Sequence, residues 1–265
     1  MNRPCAVTTY AGPAGDHNNR AMQCSILVGE ALAGRLEVPN VIVGKLREAD
    51  PRWWDIELER ARSSLQLMAR QIDKVMAEGL KPVSALTRCA VALATVPVVV
   101  RHRPDAVVVW LDAHADLNSP DTTTTGYLGG LALSGPLGWW DSGLGAGLNT
   151  SQAVLVGIRD VESAEQAHIQ AGQVAVVPVG VGLTDRLTEV VNARPVYLHL
   201  DCDVLEPGIV ETEYQVAEGL TLEELHDCVA VLAESEVVGV ELGEFEGPAA
   251  SDAEDLVEAL APLLA

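Results

Sequence analysis

The sequence predicts an α/β fold in which a parallel sheet carries helices on both faces. Short apolar runs alternate with longer stretches of helical periodicity, as in repeated strand–helix units. Two of the runs, 106–111 and 196–200, are continuously apolar, which is typical of strands buried on both faces of a parallel sheet. Because no linker, repeat or low-complexity tract divides the chain, we expect a single domain over residues 1–265.

The expected elements follow one another in order. We predict strands at 5–10, 40–43, 82–86, 106–111, 154–157, 174–177, 196–200 and 237–241, and helices at 21–32, 52–78, 89–101, 184–193, 221–234 and 252–264. Asp50 and Pro51 predict the start of the second helix, as its cap and its first residue. Thr221 and Glu224 have the spacing of a capping box.

The net charge and the N-terminal sequence limit which partners and which cellular location we expect. The chain has 38 acidic and 17 basic residues, a formal net charge of -21, which argues against nucleic acid and anionic membranes as partners. The N-terminus lacks a signal-peptide apolar run, and no run reaches transmembrane length. The five cysteines are scattered without a CxxC pair. We therefore expect a cytoplasmic protein with reduced thiols that acts on a small molecule.

Two acidic motifs follow two of the buried runs. The segment DAHADLN contains Asp112, His114 and Asp116, and the segment LDCDVLEP contains Asp201 and Asp203. Alternate side chains of an extended chain face the same way, and the carboxyl ends of parallel strands are where open α/β sheets bind ligands. Four converging carboxylates need cations to offset their repulsion. Carboxylate and imidazole together suit a hard divalent cation.

The two motifs together resemble the ureohydrolase family, which includes arginases and agmatinases, over about residues 82–247. The resemblance implies a three-layer α/β/α sandwich with a mostly parallel sheet of about eight strands. It also implies hydrolysis of a guanidino-type group by two Mn(II) ions, bridged by Asp112 and Asp201. His114 and Asp203 would complete one ion site, and Asp116 would belong to the other. Family members are often trimers or hexamers, but the lack of an extended tail after the last predicted helix favours a monomer.

The resemblance assigns substrate contacts as well. Glu244, in VELGEFEG, falls where the family places a carboxylate against the guanidinium group. Asn118, Thr123 and Thr125 match the groups that hold an α-carboxylate, and Asp160, Glu162 and Glu165 match the acids that meet an α-ammonium group. A clamp for both α-groups favours an arginine-like amino acid over agmatine. Asp116, Glu244 and Cys89 are the candidate catalytic residues.

Two positions depart from the family pattern. Cys89 stands where the family has a metal-binding histidine, and a thiol is poorly suited to Mn(II). We therefore expect Cys89 to act as a specificity residue beside the cations. Gly129 stands where the family has a histidine that shuttles a proton to the leaving amine, a loss of ~10²–10⁴-fold in rate. We interpret His102 and His199 as packing residues and not as substitutes.

Three functions remain open. The first is an amidinohydrolase of Nω-hydroxy-L-arginine in antibiotic biosynthesis, which releases L-ornithine and hydroxyurea, because both smaller residues leave room for a hydroxyl that can itself carry a proton. The second is an ordinary arginase, agmatinase or formimino hydrolase that tolerates both losses. The third is a non-catalytic binding protein or partner subunit. The intact carboxylates argue against the third, since they repel each other when no metal is bound.

Overall fold

The computed structural model describes residues 4–264, which form an eight-stranded sheet flanked by helices. The strands are β1 (Cys5–Tyr10), β2 (Asn40–Val43), β3 (Lys81–Ala85), β4 (Val107–Leu111), β5 (Ala153–Val156), β6 (Ala175–Val177), β7 (Val196–Asp201) and β8 (Val237–Gly243). The helices are α1 (Arg20–Leu36), α2 (Trp54–Ala77), α3 (Ala92–His102), α4 (Ser163–Gln170), α5 (Leu183–Val191), α6 (Leu222–Leu232), α7 (Ala250–Ala259) and α8 (Ala261–Leu264). Each predicted strand is present, with ends that differ by at most two residues.

Every strand pairing is parallel, in the order β2-β1-β3-β8-β7-β4-β5-β6. Along β4 the side chains alternate between two apolar cores: Val109 joins the core of α1 and α5–α8, and Trp110 joins the core of α2 and α3. Burial on both faces explains why the sequence of β4 is continuously apolar. The structure therefore confirms the predicted three-layer sandwich with its parallel sheet.

The register of the central strands decides where the site lies. Leu111 of β4 pairs with Leu200 of β7, Leu200 pairs with Leu242 of β8, and Ala85 of β3 also pairs with Leu242. The carboxyl ends of these four strands thus lie side by side, along the carboxyl edge of the sheet. The segments that follow them begin next to one another, as expected for the ligand-binding edge of an open α/β sheet.

Helix α2 begins later than predicted, and Asp50 does not cap it. Its N-cap is Trp53, and the backbone N–H of Arg52 donates to Glu57 Oε1 at 2.9 Å. The Asp50 carboxylate instead pairs with Arg52 and with Arg60, at 2.8 and 2.6 Å. Two arginines therefore satisfy the carboxylate that was expected to accept from the first helical turn.

Three further differences involve helices. Cys89–Val91 forms a 3₁₀ turn before α3 begins. The predicted last helix is interrupted at Leu260, close to Pro262, which has no N–H to continue the helical bonding. Helix α4 is absent from our prediction, although Glu162 and Glu165 form a capping box at its start. Across residues 4–264, the helices lack the combination of length and apolar character needed to cross a bilayer.

Candidate active site at the carboxyl edge of the central strands

The two acidic motifs meet at this edge, and the local backbone fixes their carboxylates. Asp112 Oδ1 accepts from the backbone N–H of His114 at 2.6 Å, and Asp201 Oδ1 accepts from that of Asp203 at 2.8 Å. Asp203 Oδ1 accepts from the backbone N–H of Ala113 at 3.1 Å, which ties the two motifs together. The five metal ligands that the sequence predicted therefore lie together at one place in the structure.

His114 lies between two of these carboxylates. Its Nδ1 is 3.0 Å from Asp203 Oδ2 and 3.3 Å from Asp112 Oδ1. Burial disfavours its charged form, but hydrogen bonds to Asp112 and Asp203 outweigh that effect and raise the pKa of His114. A protonated His114 imidazole therefore supplies positive charge to this cluster of carboxylates.

Asp116 is held differently from the other carboxylates. Its φ is 53°, in the left-handed region that non-glycine residues rarely adopt, and its Oδ2 is buried without a hydrogen-bond partner. Local strain of this kind is concentrated at functional sites. An orphaned carboxylate oxygen beside other carboxylates has the character of a ligand atom for a cation.

The carboxylates also repel one another. Burial and then the charge of Asp203 raise the pKa of Asp112 to about 6. Burial followed by the charge of a neighbour, Asp112 for Asp116 and Asp203 for Asp201, raises the pKa of these two groups well above the usual range. A divalent cation would remove this unfavourable energy, since it neutralises the charges without protonating them.

Three groups of side chains within residues 4–264 have donor atoms close enough together to hold a metal ion. They are Asp112, His114 and Asp203; Cys89, Asp112 and Asp116; and Cys89, Asp201 and Glu244. Within each group the donor atoms lie within 4.8 Å of one another. Asp112 belongs to two groups, so this site could bind metal at more than one adjacent position.

Cys89 lies inside the cluster. Its Sγ is 3.0 Å from Asp201 Oδ2 and 3.1 Å from His199 Nε2. Burial and then the charge of Asp201 raise the pKa of the Cys89 thiol, so the thiol is neutral when no cation is bound. His199 in turn contacts Glu241 Oε1 through Nδ1 at 2.7 Å and stacks on Trp110 with ring centroids 3.5 Å apart. His199 is thus a packing residue, as interpreted, and it also positions the sulfur.

Glu244 lies at the wall of the cavity with Cys89. Its φ is 64°, and its Oε1 accepts from the Cys89 backbone N–H at 2.9 Å and from the Tyr127 hydroxyl at 3.2 Å. Its Oε2 accepts from Arg88 Nη1 at 2.6 Å. The carboxylate that was expected to meet a substrate guanidinium therefore already has a guanidinium partner inside the chain.

Tyr127 explains the glycine at position 129. A Cβ at Gly129 would lie 2.3 Å from Tyr127 Cε1 and 2.9 Å from its hydroxyl. The Tyr127 ring therefore occupies the space that a side chain at position 129 would need. Burial and then the charge of Glu244 raise the pKa of Tyr127, which keeps its hydroxyl protonated as a hydrogen-bond donor.

The cavity in front of the cluster has a volume of about 310 Å³. Of the predicted substrate contacts, those that line it are Asn118, Thr125, Asp160, Glu162, Glu165 and Glu244. Asn118 Nδ2 donates to Glu162 Oε1 at 2.8 Å, and Thr124 Oγ1 donates to Glu162 Oε2 at 2.9 Å. The loop after β4 and the start of α4 thus form one polar wall.

Two predicted substrate contacts are engaged elsewhere. Thr123 Oγ1 accepts from the Gly126 backbone N–H at 3.0 Å, and the adjacent Thr124 lines the cavity in its place. Glu165 accepts from the backbone N–H groups of Leu117 and Glu162, both at 2.9 Å. Its carboxylate therefore supports the wall of the cavity, and each of its oxygens keeps about one further acceptor position.

Comparison with known proteins identifies the family. Residues 30–264 match the arginase family. An Nω-hydroxy-L-arginine amidinohydrolase of Streptomyces lavendulae is 40% identical over 211 residues, which cover 80% of this chain and 77% of that protein. The chain belongs to the arginase family. An arginase of Bacillus caldovelox is 25% identical over 197 residues, which cover 68% of this chain and 66% of that arginase.

A solved structure bears out the fold of this arginase-family hydrolase. The crystal structure of arginase from Bacillus cereus matches it with a TM-score of 0.85 at 21% identity, covering 99% of this chain and 98% of that one. Arg88 and Tyr127 are among the residues of the site that sequence reasoning missed. Arg88 directly precedes Cys89, and Tyr127 lies two residues before Gly129. Each therefore lies close to a position that departs from the family pattern, and this proximity could have identified them.

Proposed function

We propose that this chain is a dinuclear Mn(II) amidinohydrolase, folded as a single domain, that converts Nω-hydroxy-L-arginine into L-ornithine and hydroxyurea in D-cycloserine biosynthesis. The position of Cys89 carries the proposal. Its sulfur lies among the carboxylates, 3.0 Å from Asp201, where the ureohydrolase pattern has an imidazole. A single sulfur atom takes less space than an imidazole ring and leaves room for the extra hydroxyl of an N-hydroxyguanidine. The Streptomyces lavendulae relative, named for that substrate, supports the same reading.

The donor set fits a pair of hard cations. His114, Asp112 and Asp203 would hold one ion, and Asp112, Asp116 and Cys89 face the second position. Such an ion would satisfy the unpartnered Asp116 Oδ2. Bound there, the pair supplies an activated water as the nucleophile at neutral pH. Oxygen donors predominate in both groups, which favours Mn(II) over softer metals.

The rest of the cavity orients the substrate. Glu244 and Tyr127 lie at the cluster end and would face the guanidino group. At the other end, Asn118 and Thr125 would hold the α-carboxylate, and Asp160 and Glu162 would meet the α-ammonium group. Because the side chain at position 129 is absent, the hydroxyl of the substrate gives the proton to the departing amine. It regains a proton from the oxygen of the attacking water as the carbonyl group of hydroxyurea forms. The broken bond is the one between the guanidino carbon and the nitrogen that stays on ornithine.

A turnover comparison tests this function. Purified protein loaded with Mn(II) should release hydroxyurea from Nω-hydroxy-L-arginine. Its kcat/KM should exceed that for L-arginine or agmatine by more than ~100-fold, because a site built around a substrate hydroxyl rejects analogues that lack it. Equal or better turnover of L-arginine would assign the chain to the ordinary arginases. Metal analysis of the same preparation should give two ions per chain.

A second prediction concerns the sulfur of Cys89. From the sequence we expected Cys89 to lie beside the cations without binding them strongly. In the structure Cys89 Sγ is a donor atom in two of the three potential metal groups formed by the described residues. Cys89→Ser should therefore lower the affinity for one of the two Mn(II) ions by ~10-fold, since a neutral hydroxyl does not become an anionic ligand as a thiol does. Titration of metal-free protein with Mn(II) measures this effect.

The matched control is Cys228→Ser, the same exchange at a buried cysteine of α6 outside the site. This variant should bind both ions as the wild type does. If Cys89→Ser binds both ions with wild-type affinity, the sulfur only shapes the cavity, as the sequence suggested.

A further inference from the structure

We infer that Arg88 determines specificity: it pairs with Glu244 from within the chain, so that the site receives the guanidino end of its substrate in uncharged form. This inference rests on the proposed function and adds a physical reason for discrimination between two substrates of nearly the same shape. The relevant contacts involve Arg88, Glu244 and their immediate partners.

The hydrogen bonds of Glu244 leave little capacity for a substrate. Arg88 Nη1 donates to Oε2 at 2.6 Å, a charge-assisted bond. Cys89 N–H and the Tyr127 hydroxyl both donate to Oε1, at 2.9 and 3.2 Å. A carboxylate oxygen accepts about two hydrogen bonds, so Oε1 is filled and Oε2 keeps one free position. The bidentate pairing that a guanidinium forms with a free carboxylate is therefore unavailable.

Arg88 cannot move aside to make room. Its side chain is fully buried, and its Nε donates to Asp16 Oδ1 at 3.1 Å. Its Nη2 is 2.8 Å from Glu246 Oε1 and 2.8 Å from Glu213 Oε2. The guanidinium is thus held from three further directions, by segments that follow β1, β7 and β8.

Glu244 depends on Arg88 for a positive partner, whereas two of the neighbouring carboxylates have a second cationic partner. Glu246 has a second cation in Arg20, whose Nη2 is 2.6 Å from Oε2, and Glu213 contacts His17 at 2.8 Å. Among the described residues, the only arginine or lysine paired with Glu244 is Arg88. Arg88 is also the ion-pair partner of Asp16, at 3.1 Å, so its positive charge offsets only part of the negative charge on Glu244. Its hydrogen bond to Oε2 also occupies a position that a cationic substrate would need.

This arrangement separates two substrates by their basicity. A guanidinium would bring a second positive charge next to Arg88 and would find no free carboxylate to pair with, which costs energy in a buried site. The hydroxyl of an N-hydroxyguanidine withdraws electron density, so this group is a weaker base and loses its proton more readily on entering the site. Arg88 thereby disfavours L-arginine and accepts its N-hydroxylated form.

Binding of two inactive or slow ligands tests this inference directly. L-citrulline carries a neutral urea where L-arginine carries a guanidinium, with nearly the same shape. Calorimetry on the Mn(II)-loaded full chain should show that L-citrulline binds at least as tightly as L-arginine. The inference is overturned if L-arginine binds more than ~10-fold tighter, as expected for a site that offers its substrate a free carboxylate.

Variants at Arg88 sharpen the test. Arg88→Met removes the charge and keeps the apolar stem, and should shift the ratio of the two dissociation constants toward L-arginine by at least ~10-fold. Arg88→Lys keeps the charge but loses the fork of donors, so its ratio should fall between those of the wild type and Arg88→Met. An unchanged ratio in a folded Arg88→Met protein would contradict the inference. If Arg88→Met fails to fold, the wild-type ratio still overturns the inference when L-arginine binds more than ~10-fold tighter than L-citrulline.

The proposed function and this inference fail in different measurements. Absence of hydroxyurea release from Nω-hydroxy-L-arginine would refute the proposed function, whatever the binding ratio. Hydroxyurea release together with strongly preferred binding of L-arginine would refute only the role of Arg88.

Discussion

Replacing Asp112 with alanine is expected to lower kcat/KM by ~10³-fold or more, an increase of about 4 kcal/mol in the activation free energy. Asp112 is the carboxylate shared by two of the potential metal groups, so its loss weakens both cation positions together. It also anchors the motif, because it accepts from the His114 backbone N–H and from Trp110 Nε1. The measurements are steady-state turnover and metal content by elemental analysis.

Two controls accompany this variant. Asp141→Ala makes the same chemical change at an exposed loop position and should keep both metal content and turnover. Circular dichroism should show that Asp112→Ala keeps its secondary structure, since the strand β4 before it is buried by apolar side chains. Near-native turnover by Asp112→Ala would show that the cluster is not a dinuclear centre.

Gly129→His is expected to lower kcat/KM for every guanidino substrate by ~10²-fold, although it restores a residue that the ureohydrolase pattern carries. Any Cβ at position 129 lies 2.3 Å from Tyr127 Cε1, so the phenol must leave its place. Its hydrogen bond to Glu244 Oε1 is then lost and the cavity wall shifts. Displacements of about 1 Å near reacting groups cost losses of this size.

The double variant Gly129→His/Tyr127→Ala provides the matched comparison. It removes the ring that collides with the new side chain and should recover part of the lost activity relative to Gly129→His alone. Tyr127→Phe, which keeps the ring but not the hydroxyl, should lose less than the single histidine variant. If Gly129→His instead raises turnover of L-arginine, the missing histidine is the sole cause of specificity and the Tyr127 ring is incidental.

The sequence predicts those residues of the site that lie close together along the chain. Asp112, His114 and Asp116 stand at alternate positions after one buried strand, and Asp201 and Asp203 do so after another, so period and burial alone bring them together. The order of strands along the sheet does not follow from such local patterns. We made no prediction of that order, and the structure supplies both the order and the registers that align the strand ends.

The contacts that sequence reasoning missed join distant segments. Arg88 and Glu244 are 156 residues apart, and Cys89 and His199 are 110 apart. Nothing in the periodicity near Tyr127 shows that its ring covers Gly129, because this depends on the path of the loop after β4. Helix α4 was missed for a different reason: glutamate is an uncommon N-cap, so the pair Glu162 and Glu165 did not mark a helix start.

The order of strands in the sheet also has a kinetic consequence. β3 and β8 are neighbours although about three fifths of the chain separates them, so their pairing closes a very long loop. Cys89 and Asp201, from opposite sides of β8, meet only after that closure, which places the assembly of the cluster late in folding. We therefore expect a cation bound there to be absent from the transition state for folding, so its binding energy would slow unfolding and leave the folding rate almost unchanged.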